Sequence, residues 1–85
     1  MTIVFLKPFV KDYSKLPQAQ QRKVDKQLRL LKQNVNHPGL KARKMVNQPD
    51  IYEARVDLHF RMTFKLEKNR VIMRRVGTHK IYKKP

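Results

Sequence analysis

"DIYEARVDLHFRMTFKLE", residues 50–67, alternates apolar and polar side chains almost without a break. Tyr52, Ala54, Val56 and Leu58 point one way, and Glu53, Arg55 and Asp57 the other. After His59 the alternation resumes. Phe60, Met62, Phe64 and Leu66 share one side, and Arg61, Thr63, Lys65 and Glu67 share its opposite. A period of two places successive side chains on opposite faces of a strand, so this stretch reads as two half-buried strands. It has one apolar face to cover and one charged face to explain.

Working outward, Lys68 and Asn69 make a tight turn into "RVIMRRV" (70–76), whose run Val71-Ile72-Met73 suits a more central strand. Gly77 is expected to end that strand. Upstream, "ARKMV" (42–46) is a candidate extra strand before Pro49. At the other end of the chain, "TIVFL" (2–6) is β-branched and aromatic, hence a first strand. The period then changes. Pro8 suits the first turn of a helix, and Phe9, Tyr13 and Leu16 form a helical stripe. Beyond Pro17, Val24, Leu28, Leu31 and Val35 recur at helical spacing, with Arg22, Lys26, Arg29 and Gln33 opposite. "NVNHPG" (34–39) is a run of helix breakers. The reading is a single α+β domain over residues 1–85, of order β-α-α-β-β-β, with an antiparallel sheet and a two-helix hairpin on its apolar face.

Composition narrows the function. Eighty-five residues make one domain with a thin core, and the absence of cysteine rules out both disulfide staples and thiolate metal sites. The apolar runs are too short to span a bilayer. The opening residues lack the charged region and cleavage site of a signal peptide, so a cytoplasmic protein is expected. The 21 Lys+Arg against 6 Asp+Glu give a formal charge of +15. Solubility does not need that imbalance, and a polyanion, nucleic acid first, accounts for it. An acidic protein partner is the alternative, and the two are compatible. No helix combines a basic face with a bulky exposed apolar one, so no membrane partner is expected.

Two helices can cover only one face of the sheet. The other carries Arg55, Arg61 and Lys65 among Glu53, Asp57 and Thr63, with His79 and Tyr82 at its rim, and is expected to lie open. Cross-strand pairing of the acids with arginines, at roughly 0.2–1 kcal/mol each, would keep such a face soluble. It would leave the surplus of bases unexplained.

The element order, with "PDIYEARVDLHFRMTF" (49–64) followed by "RRVGTHKIY" (74–82), resembles the RelE/ParE superfamily of bacterial type II toxins over essentially the whole chain. The resemblance implies a toxin held silent by a cognate antitoxin. The RelE-like branch cleaves mRNA, usually on the ribosome; the ParE-like branch poisons DNA gyrase and lacks the catalytic residues. By this likeness Arg61, following an aromatic residue, matches a phosphate-stabilising arginine, and Arg55 matches a basic residue of the preceding strand. The "GTH" motif resembles a subgroup with a catalytic histidine, here His79. His37, before a proline, is a weaker counterpart of a second one. His59 stands where that subgroup has a carboxylate, and Tyr82 falls one position from its terminal aromatic. The paired lysines of the RelE-like branch are replaced by Glu53 and Arg55.

The chemistry has its own requirements. RNA cleavage through the adjacent 2′-OH needs a base, cations at the phosphate and an acid for the leaving 5′-oxygen. Arginine stays charged and suits the phosphate, whereas histidine titrates near neutrality and can serve either proton transfer. His37, His59 and His79 are therefore candidates alongside Arg55 and Arg61. Each histidine has a plainer reading: a turn residue for His37, a surface residue for His59, a strand-end residue for His79. Tyr82 can stack on a base or merely line the rim. Lys41, Lys44, Lys65, Arg74, Arg75 and Lys80 complete the candidate RNA-binding set. No cofactor is expected, and three scattered histidines lack metal-ligand spacing. No triad pattern or glycine-rich phosphate loop is present, and Met45, Met62 and Met73 read as core fillers. The sequence thus points to an endoribonuclease acting on mRNA and the ribosome with no metal, its alternatives being a gyrase poison or a non-toxic basic RNA-binding protein.

Overall fold

A computed structural model describes all 85 residues. The elements in chain order are strand β1 (Thr2–Phe5), helices α1 (Lys7–Ser14) and α2 (Gln18–Gln33), and a 3-10 turn at Pro38–Leu40. Strands β2 (Arg43–Met45), β3 (Gln48–Arg55), β4 (Arg61–Glu67) and β5 (Arg70–Gly77) follow, then a second 3-10 turn at His79–Lys83. Pro8 sits in the first turn of α1 and Pro17 caps α2, as their missing N–H groups allow. No helix is long and apolar enough to cross a membrane.

The five strands form one sheet in the order β1-β5-β4-β3-β2. β2 through β5 are antiparallel neighbours, but β1 pairs with β5 in parallel. The sheet is therefore mixed, not antiparallel throughout. Alternation fixes which face a residue takes and is silent on strand direction. The short "RKM" strand adds one more reversal, and that count of reversals sends β5 along β1.

The helix-covered face holds the core. Phe9, Val24 and Leu31 of the helices pack with Ala54, Val56, Met62, Phe64, Val71, Met73 and Val76. Gln27 is buried in α2, donating to the carbonyls of Gly39 at 3.1 Å and Arg55 at 2.7 Å, and so ties the helix to the end of β3. Leu58 departs from the alternation and is 71% exposed. The cause is Asp57, whose Oδ1 accepts from the backbone N–H of His59 at 3.0 Å and of Phe60 at 2.9 Å. That Asp turn pulls the chain out of the ladder early.

The opposite face is not open. Residues 78–85 fold back across it as a strap. Ile81 is buried, and so are Glu53 and Thr63 beneath. Gly77 makes the return possible: a Cβ there would lie 2.9 Å from Ile81 Cγ2. The register shift between β4 and β5 also matters here. Thr63 pairs with Arg75 while Phe64 pairs with Met73, leaving Arg74 as the extra residue. A bulge of this kind lets two consecutive side chains share one side.

Candidate active site

The site forms where β3 and β4 leave the strap's cover. Arg55 and Arg61 are direct cross-strand partners, both half-buried on the strap face. Like charges placed opposite one another in a ladder work against it, so strand pairing alone does not account for this pair. Lys41 and Arg43 approach the same place, Lys41 from a left-handed backbone (φ 47°) after the first 3-10 turn. Together with Glu53 these residues line a wholly polar cleft of about 200 Å³, four cations around one carboxylate.

Glu53 is 6% exposed and is held by Arg43 Nε at 2.9 Å. Arg43 sits opposite Glu53 in the ladder, on the strand that the sequence left as optional. Tyr82 of the strap closes the next pocket along, lined also by Arg43 and Glu53. Burial, and then the Glu53 carboxylate beside it, push the Tyr82 phenol above its ordinary range, although Arg61 and Arg43 pull the other way. Arg61 turns one guanidinium nitrogen toward the β3–β4 loop, donating to the carbonyls of Asp57 at 2.5 Å and Phe60 at 3.0 Å. Those bonds fix its plane while it still lines the cleft.

The structure brings together Arg55, Arg61, Lys41 and, one pocket away, Tyr82. His79 is exposed at the start of the second 3-10 turn, two residues beyond Gly77, the ladder partner of Arg61. Lys80 is exposed on the same turn. None of the three histidines lines the cleft. His37 accepts from Gly39 N through Nδ1 at 3.0 Å and so shapes its own turn, and His59 is exposed on the β3–β4 loop. Lys44 points to the helix side, its Nζ 5.9 Å from the Tyr52 ring centroid. Lys65 lies on β4 beyond Thr63, outside the cleft. Arg74 and Arg75 grip the strap: Arg74 Nε donates to the Pro85 carbonyl at 3.0 Å and Arg75 Nη1 to that of Lys84 at 3.1 Å.

The cross-strand pairing of Glu53 with an arginine is as the sequence suggested, and Arg43 is that partner. What sequence reasoning missed is that the pair lines the cleft. Nothing in the sequence signalled that Tyr82 and Ile81 would cover Glu53.

No family model and no curated protein matches the chain. Solved structures do. A YoeB/ParE toxin from Agrobacterium tumefaciens superposes with a TM-score of 0.80 at 14% identity, over 93% of this chain and 99% of that one. The chain has the RelE/ParE toxin fold. YafQ from E. coli gives a TM-score of 0.74 at 22% identity, over 94% of each chain. A RelB–RelE antitoxin–toxin complex from Methanococcus jannaschii gives 0.71 at 26%, over 94% of this chain and 95% of that one.

Proposed function

We propose that the protein is the toxin of a toxin–antitoxin pair and an endoribonuclease that cuts translated mRNA on the ribosome, in the cytoplasm. The observation that carries this reading is the opposed pair Arg55 and Arg61, a repulsive contact that an anion between them would relieve. A backbone phosphate fits such a pair, because the guanidinium fork matches its oxygens. With the phosphate there, the adjacent 2′-oxygen attacks phosphorus and the bond to the 5′-oxygen breaks, leaving a 2′,3′-cyclic phosphate and a 5′-hydroxyl. Glu53 accepts the 2′-OH proton, being the one carboxylate of the cleft. His79 supplies the proton to the departing 5′-oxygen. Arg55 and Arg61 carry the charge that accumulates on the phosphate in between. Tyr82 offers a face for a neighbouring base.

The antitoxin reading rests on a second surface. Phe5, Phe9, Val10, Tyr13, Asp25 and Leu28 line an apolar groove of about 280 Å³ between α1 and α2, with Phe5 46% and Val10 53% exposed. Exposed Lys7, Arg29 and Lys32 flank it on the two helices. An apolar floor repels a phosphate backbone, and the +15 charge opposes a second copy of the chain. An acidic amphipathic segment of the antitoxin suits both features. Solved complexes of two fold relatives, with RelB and with YefM, add support for a protein partner.

Primer extension on a translated message after induction tests the nuclease reading. Discrete cuts within the coding region, absent before induction, are expected. Intact messages in growth-arrested cells would overturn it in favour of a gyrase poison.

A further inference from the structure

Asp12 lies on α1, outside the cleft, yet no other acid in the molecule is so heavily engaged with a neighbouring element. It accepts from Arg75 Nε at 2.6 Å, from Arg75 Nη2 at 3.1 Å and from the backbone N–H of Val76 at 3.1 Å. Both side chains are largely shielded, 18% exposed for Asp12 and 29% for Arg75. The third guanidinium nitrogen of Arg75 reaches on to the Lys84 carbonyl. Next to it on the bulge, Arg74 and Thr63 Oγ1 both donate to the Pro85 carbonyl, at 3.0 and 3.4 Å. At the strap's other end Ile81 packs on the bare backbone of Gly77.

We propose that Asp12, Arg74 and Arg75 form a clamp that positions the strap, and through it Tyr82, over the cleft. The bulge puts two consecutive arginines on the strap face. Asp12 then fixes the plane of Arg75 by a bidentate pair, so that its remaining nitrogen meets the strap at one angle. Without Asp12 the Arg75 side chain is free to turn, and the far end of the strap loses a tether. Tyr82 lies between the two anchored ends, against Glu53, Arg43 and Arg61. Asp12 and Arg75 are thus positioning residues: they touch no part of the cleft and act on it through residues 78–85. The catalytic part of this inference rests on the nuclease reading above; the placement of Tyr82 does not.

Asp12→Asn separates positioning from charge and from simple stapling, because it removes a negative charge from a protein that binds a polyanion. Three readouts are taken on the purified full chain: amide hydrogen exchange across residues 71–85, titration of Tyr82 by NMR with ring-labelled tyrosine, and single-turnover cleavage with RNA affinity measured in parallel. The clamp predicts strap amides exchanging at least about tenfold faster while β5 keeps its protection, and a Tyr82 titration that falls toward that of a free tyrosine. RNA affinity holds or rises, and cleavage slows by about tenfold or more, the scale of losing a well-placed contact. Thr63→Val, which removes one uncharged tether, gives a smaller change in the same direction and guards against an Asp12 variant that fails to fold. A Tyr82 titration and strap exchange like wild type would overturn the clamp. A loosened strap with unchanged cleavage would reduce it to a staple and overturn the positioning role. If wild type cuts no RNA, the nuclease reading fails, and the exchange and titration alone decide whether the clamp holds Tyr82.

Discussion

The two faces of the sheet are held by different forces. On the helix face, Met62, Phe64, Val71 and Met73 are fully buried and pack against Phe9, Val24 and Leu31. On the strap face, the same strands present Glu53, Arg55, Arg61 and Thr63, tied down by directional bonds to residues 78–85 and leaving a cationic cleft. The first face obtains its stability from apolar area removed from water. The second sets two arginines opposite one another, which strand pairing alone does not reward. The proposed site therefore lies on the face with the less apolar packing, and the apolar face supplies the stability that offsets it.

Substitutions on each face should break that contrast or sharpen it. The largest effect belongs to the helix face. Phe64→Ala should cost about 3–5 kcal/mol in urea denaturation, as expected for a fully buried phenylalanine in a thin core. A loss below about 1 kcal/mol would mean that this face does not carry the fold. The next effect sits at the boundary between the faces. Partial burial works to raise the Asp57 carboxyl, but the N–H groups of Phe60 and His59 and the side chains of Gln20 and Lys23 outweigh it and lower it from 3.8 to about 2. A carboxylate lowered on folding stabilises the protein above its unfolded value, and the contribution is lost as pH falls toward 2. Asp57→Asn should accordingly cost about 1–2 kcal/mol at pH 7, with the gap to wild type closing in acid. A gap independent of pH in thermal unfolding would refute the ionic part.

The smallest effect has the opposite sign. Arg55→Gln removes the charge facing Arg61, so stability should hold or rise by up to about 1 kcal/mol. The same change should weaken RNA binding and reduce the salt slope of its affinity by about 0.7, the share of one phosphate contact on a single strand. Lower stability together with an unchanged slope would show that Arg55 serves the fold.

Much of this architecture was legible in residues 50–67. The alternation gave the faces of β3 and β4 correctly, and it put Arg55 and Arg61 on one face. It could not give the parallel partner of β1, because strand direction leaves no mark on periodicity. Nor could it give the strap. "HKIYK" carries one apolar residue, Ile81, too little for a pattern, and its docking depends on Gly77 and on a bulge that exists only once β4 and β5 are paired. The cross-strand pairing of Glu53 with an arginine was legible, but its burial beneath the strap and its place in the cleft were not, for the same reason. Arg74 and Arg75 looked like phosphate ligands, and what the fold adds is their bond to the strap.

The most direct test of the central claim is the single-turnover cleavage rate of Arg61→Ala on a ribosome-bound message, with melting compared first to establish that the variant is folded. Arg61 stands opposite Arg55 in the ladder, and the proposed mechanism puts the scissile phosphate between them. Loss of one preorganised charge-stabilising group predicts a rate about 10²–10³-fold below wild type. A folded Arg61→Ala that cuts at the wild-type rate would contradict the account and move the chemistry away from the strap face.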